Sequence, residues 1–200
     1  MPSRPTRALM AVAALAAALA TSCAGTPSAT VSVSATNPPT ATPQPTRASM
    51  DPELEALLPD RVGTLDISKR SLTGLEFSSS ADLAFGQFLQ DIGVSGAAVS
   101  VASGFGASTA APPSSVLVLA IRVRGATQEQ IVSTFRHALE ASIDRPYSVT
   151  AQTVSGKEVL VAVAQGVDDP PTYFYARDDV MFLASASDDA LAAEAISLLP

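Results

Sequence analysis

YSVTAQTVSGKEVLVAVA, residues 147–164, holds two β-prone runs on either side of Ser155-Gly156-Lys157. Val, Thr and Tyr suit the pleated, half-buried surface of a strand, and a Ser-Gly step supplies backbone at positive φ, so the stretch reads as a β-hairpin. In its second arm Val159, Val161 and Val163 fall on one side, and Leu160, Ala162 and Ala164 on the other. A strand apolar on both sides belongs to a sheet covered on both faces, which makes this arm a central strand.

Outward from it, TYFYARDDVMFLASAS (172–187) reads as a second hairpin turning at Arg177-Asp178-Asp179, and DDALAAEAISLL (188–199) as a closing helix. Upstream, ATQEQIVSTFRHALEAS (126–142) opens with Thr127 and Gln130 at capping-box spacing and repeats Ile131, Phe135, Ala138, Leu139 and Ser142 along one helical face. Before it, AAVSVAS (97–103) and SSVLVLAIRVRG (114–125) suit strands, with GFGASTAAPP (104–113) as a flexible loop between them. A serine-capped helix over 81–92 carries Leu83, Phe88, Leu89 and Ile92 on one face and stops at Gly93. DPELEALLP (51–59) suits a short helix ended by Pro59, and RVGTLDISKRSLTGLEF (61–77) two short strands.

Hairpins of short reach require antiparallel pairing, and the order lacks the regular strand-helix-strand alternation of a parallel sheet. The expectation is a single α+β domain over residues 51–200, a mainly antiparallel sheet with the helices of 81–92 and 127–142 packed on it. The tripeptide LLP occurs at 57–59 and again at 198–200, a weak echo rather than a repeat.

The first fifty residues have another character. Arg4 and Arg7 precede an uninterrupted apolar run from Ala8 to Ala20, which is shorter than the roughly 18 to 20 residues that cross a bilayer core. Cys23, the one cysteine, follows directly behind Leu19-Ala20-Thr21-Ser22. The start of the chain thereby resembles bacterial lipoprotein precursors, with Thr21 and Ser22 as the small residues of a lipobox and Ala20 where that family usually has Leu. The resemblance covers residues 1–24 and implies a signal peptide over 1–22, acylation of Cys23 and a lipid anchor at the outer face of the cell membrane. Ordinary secretion is the alternative, because Ser22-Cys23-Ala24 also reads as a small-x-small cleavage site. The domain itself looks like small α+β lipoproteins of uncharacterised role.

Residues 24–50 are almost entirely Ala, Thr, Ser and Pro, a composition that cannot offset its ordering entropy by burial. With Cys23 they read as a disordered tether with a reach on the order of 30 Å. Taking Arg4, Arg7 and Arg47 away from the formal charge of −7 leaves −10 for residues 51–200, which disfavours nucleic acid and anionic lipid as partners of the domain. A single cysteine excludes an internal disulfide and a thiolate metal site, and a single histidine, His137, excludes a His-based zinc site.

Asp-Asp doublets recur at 168–169, 178–179 and 188–189. Strand length puts the middle pair at one end of its hairpin and the other two pairs at the opposite end, so three pairs cannot meet around one ion. Asp168, Asp169, Asp188 and Asp189 are left as one acidic cluster, against local roles in a loop, a turn and a helix start. No catalytic, metal or cofactor-binding residue is assigned. Ser155 and Lys157 lack Ser-x-x-Lys spacing, Gly104 and Gly106 lack a third spaced glycine, and Ala151 stands where a phosphate loop ending at Lys157 needs glycine. His137 lies about 200° around its helix from Phe135 and faces water. Tyr173 and Tyr175 share a strand face and read as packing residues. Two functions follow: a lipid-anchored binding or interaction module without catalysis, its partner a small ligand or an envelope protein, or a hydrolase using carboxylates such as Asp82, Glu129 and Glu158 that only folding brings together.

Overall fold

The computed structural model describes residues 50–78, 83–142, 146–166 and 169–200. The signal peptide, Cys23, the tether as far as residue 49, the serine cap before Leu83, Asp82 and Asp168 lie outside the described residues. Helix α1 (Pro52–Ala56) leads into a two-strand ribbon, β1 (Arg61–Val62) and β2 (Leu65–Asp66). One antiparallel sheet follows, made of β3 (Ser68–Thr73), β4 (Val99–Ser108), β5 (Ser114–Val123), β6 (Tyr147–Val154), β7 (Lys157–Ala164), β8 (Thr172–Arg177) and β9 (Val180–Ala186). Its spatial order is β3-β4-β5-β9-β8-β7-β6. Helices α2 (Gly74–Ser78), α3 (Leu83–Asp91), α4 (Gln128–Glu140) and α5 (Asp189–Leu198) complete the α+β fold.

The hairpins set this order. Ser155 and Gly156 both take positive φ, +52° and +79°, so β6 and β7 join through a two-residue turn and Lys157 is already paired with Val154. Asp178, at φ +56°, does the same between β8 and β9, where Arg177 pairs with Val180. Strand β7 is interior and carries buried residues on both faces, though Val163 is exposed, and it sits one place from the β6 edge; the centre of the sheet is the β5–β9 pair. The centre goes to β5 and β9 because these two join the halves of the chain, with seven paired positions from Val116–Ala186 to Arg122–Val180.

Alternation along these strands builds two cores. Val116, Val118 and Ala120 of β5, with Tyr175, Phe182 and Ala184, pack under α1, the β1–β2 ribbon and α5. Leu119, Ile121 and Val123, with Phe174, Met181 and Leu183, pack under α2, α3 and α4. The helices expected over 81–92 and 127–142 therefore share one face, and α1 and α5 close the other. In α4 the capping box of Thr127 and Gln130 forms as read, and Ile131, Phe135, Ala138 and Leu139 are buried. Gly93 ends α3 at φ +72°.

Two readings are corrected. The segment GLEFS is helix α2, not strand: Glu76 N–H donates to Thr73 Oγ1 at 3.2 Å and Thr73 N–H to Glu76 Oε2 at 3.1 Å, a reciprocal cap. That cap and the burial of Phe77, together about 3 kcal/mol, hold a five-residue helix that would not persist alone. The run 61–77 accordingly holds three short strands rather than two. The glycines of GFGAS belong to strand β4, not to a loop, which shortens the connection to 109–113. A Cβ on Gly104 would lie 2.6 Å from Ile67 Cγ2, and one on Gly106 2.8 Å from Ile67 Cδ1. These glycines are where the sheet accepts the chain just after the β1–β2 ribbon at backbone distance.

Gly104→Ala should therefore lower stability by about 1–3 kcal/mol, since Ile67 and Val118 both have to move. Gly86→Ala, in α3 where an added Cβ meets nothing within 4 Å, should raise it by about 0.5–1 kcal/mol. Urea unfolding of the two variants checks the opposite signs.

Candidate functional site

The polar residues of the α1/α5 face are occupied in holding chain segments. Asp51, 8 % exposed, caps α1 by accepting from Leu54 N–H at 3.0 Å and pairs with Arg122 of β5 at 3.0 Å. Ser71 of β3 accepts from the N–H groups of Met50 and Asp51 at 2.9 and 2.8 Å. Both lysines cap helix ends: Lys69 donates to the Leu58 carbonyl and pairs with Asp60, while Lys157 donates to the carbonyls of Ile196 and Leu199. The two LLP tripeptides are the segments so held.

The candidates from the sequence are dispersed. Asp178 and Asp179 form the β8–β9 turn, with the Asp179 carbonyl accepting from Val123 N–H at 2.8 Å. Asp188 caps α5 through Leu191 N–H at 2.9 Å, and Asp189 in the first turn lies near enough to the Tyr173 hydroxyl to add to burial in raising its pKa. Asp169 is half-buried. Among the described residues no three His, Cys, Asp or Glu side chains gather into a metal-binding group. His137 is exposed on α4, and Ser155 lies in the turn before Lys157. Tyr173 and Tyr175 are buried, and the Tyr175 hydroxyl donates to the Pro200 carbonyl at 2.8 Å.

Two concavities lie on the α3/α4 face. The first is a half-open apolar cavity of about 210 Å³. Its floor is a cross-strand row in which Ser185 pairs with Thr172 and Thr172 with Ala162. Three short side chains in succession, between Leu117 on one side and Val149 on the other, leave the helices nothing to fill. The walls are aromatic: Phe77, Phe85 and Phe135 line it, Phe77 and Phe85 meeting edge to face at 4.8 Å, and Phe88 and Phe174 back them from the core in ring contacts of 5.8, 5.5 and 5.0 Å along Phe85, Phe88, Phe135 and Phe174. Leu119, Leu139 and Leu183 complete it, with Thr172, Ser185 and Tyr147 as the hydroxyl-bearing residues of its lining. No sequence motif announces this site. The small row Ser185-Thr172-Ala162 is its signal, and it becomes visible only once register is known.

The second is a groove of about 800 Å³ between the first half of α4 and strands β6 to β8. Glu129 and Glu158, two of the carboxylates singled out in the sequence, both line it. Arg136 also lines it, and its guanidinium is bonded to Glu140 at 2.8 Å. No family model matches the chain, and no curated protein or solved structure matches it. No helix among the described residues is long and apolar enough to cross a membrane.

Burial pushes the Tyr175 hydroxyl up from 10.0 to about 12, against the opposing pull of Arg177. Burial, aided by Asp189, also raises Tyr173. A folded pKa above the unfolded one contributes stability that is intact below pH 10 and is lost as pH rises through about 12. Lys157, lowered by burial and by Arg177, acts in the opposite direction and only below its ordinary 10.5. The melting temperature should therefore fall between pH 10.5 and 12, and Tyr175→Phe should flatten that fall while removing the last tyrosinate step in an absorbance titration.

Proposed function

We propose that the chain is a lipid-anchored, extracytoplasmic binding module without catalysis, and that its ligand is a small apolar molecule held between α3, α4 and the sheet. The observation that carries this reading is the aromatic-walled cavity over a floor of Ser185, Thr172 and Ala162. An apolar cavity of roughly 150 Å³ suffices to stay dry and take up a benzene ring. At about 210 Å³ this one suits a single ring or a short alkyl chain, with the hydroxyl-bearing residues Thr172, Ser185 and Tyr147 in its lining to orient a polar end. The anchor rests on the lipoprotein-like residues 1–24, and the net charge of −10 on residues 51–200 argues against a nucleic-acid ligand.

Ala162→Leu tests the reading, because its added carbons project into the cavity from a floor residue that is 1 % exposed. Binding of benzene by the full chain, read from the rise it causes in melting temperature, should weaken at least tenfold, with the melting temperature of the unliganded variant kept or raised. Unchanged uptake in a folded variant would remove the cavity as the ligand site. The second reading, a hydrolase, is favoured by one observation, the meeting of Glu129 and Glu158 in one groove. It requires ester or glycoside turnover that Glu158→Gln abolishes, where the binding reading expects none.

A further inference from the structure

The two edges of the sheet are built differently. Edge strand β3 carries Lys69 and Arg70 over six residues, and the incoming chain at Met50 and Asp51 bonds to its Ser71. Charge and cover of this kind block pairing with another chain. Edge strand β6, Tyr147–Val154, has eight residues with no charge and no proline, and it pairs with β7 in unbroken register.

Antiparallel geometry fixes which of its backbone groups are spare. A two-residue turn makes Val154–Lys157 a hydrogen-bonded pair, so Gln152–Val159, Thr150–Val161 and Ser148–Val163 are the next ones. The bond from Gln165 N–H to the Pro146 carbonyl at 2.9 Å continues that phase. The N–H and C=O groups of Val149, Ala151 and Thr153 therefore point away from the sheet, and Ala151 and Thr153 are exposed. Beside this edge lies the groove of about 800 Å³, roofed by α4. Of its charged residues, Arg136 is paired with Glu140, whereas Glu129 and Glu158 have no ion-pair partner among the described residues.

We infer that β6 docks an extended, lysine- or arginine-bearing segment of another protein as an eighth strand, with its basic side chains reaching Glu129 and Glu158 in the groove. Main-chain pairing supplies the attachment and the two carboxylates supply the selection. A second copy of this chain is the poorer occupant, since each domain brings a net −10 to the contact. The inference stands apart from the apolar cavity and survives or fails independently of it.

The test is fluorescence anisotropy of the full chain with a labelled, end-capped octapeptide of alternating lysine and threonine. Saturable binding is expected, weakened by salt, at least tenfold weaker in Ala151→Pro and several-fold weaker in Glu129→Gln/Glu158→Gln. Ala151→Pro removes an outward donor and leaves the β6–β7 hydrogen bonds in place. Should that variant fold poorly, a peptide N-methylated at alternate residues asks the same question of the unaltered protein and should not bind. Equal binding by Ala151→Pro, or by the N-methylated peptide, would overturn the proposal. So would a sedimentation dimer that Ala151→Pro dissolves, which would hand the edge to a second copy. Loss of peptide binding in Ala162→Leu alone would instead place the peptide in the cavity and likewise sink the edge site.

Discussion

Strands β5 and β9 pair along seven positions and are apolar on both faces, so neither face of the sheet tolerates water. Most other features answer that demand. Helices α3 and α4 bring phenylalanines and leucines to one side. On the other side the cover is short and assembled from pieces: a five-residue helix, a ribbon of two-residue strands and α5. Pieces this small cannot hold themselves in place by packing alone, which is why buried polar groups concentrate there. Asp51 and Ser71, the buried polar or charged residues among those described, both serve to seat α1.

The two lysines follow the same logic. A helix end packed on a sheet leaves carbonyls short of donors, and an ammonium group on a flexible stem is suited to supply them. Lys69 and Lys157 stand near the starts of β3 and β7, and each reaches across to the LLP segment that ends a helix. The tripeptide echo in the sequence thus corresponds to a repeated task, burying one leucine (Leu58 or Leu199) and presenting its carbonyl to a lysine. Lys157, desolvated and seated 5.5 Å over the Tyr175 ring, is thus occupied within the domain.

Much of the fold was legible because it is local. Both C-terminal hairpins, the capping box of α4 and the helix start at Asp188-Asp189 follow from spacing within a dozen residues. The errors arose where tertiary contact overrides local preference. Thr73-Gly-Leu-Glu76 holds a readable cap that the surrounding alternation hid. The glycines of β4 look like loop residues until Ile67 is placed against them. The tyrosines read correctly as packing, and the turn at Asp178-Asp179 and the helix start at Asp188-Asp189 were also visible, though not that Asp188 is the cap. The cavity was not, because its floor joins residues 162, 172 and 185 through register. Neither was the shared groove of Glu129 and Glu158, which needs α4 laid across β6 and β7.

The seating of Asp51 also has a mechanical side. A pull on the backbone at Met50 would enter the domain there and at Asp51. There it meets two amide-to-hydroxyl bonds on Ser71 of the outermost strand and an ion pair on Arg122 of β5. A load is thereby divided between an edge and the interior instead of peeling β3 away from its neighbour. It is also applied at the side of the sheet opposite β6, six strand spacings or about 29 Å away. A pull at that point loads one flank of the sheet and leaves the β6 flank unloaded.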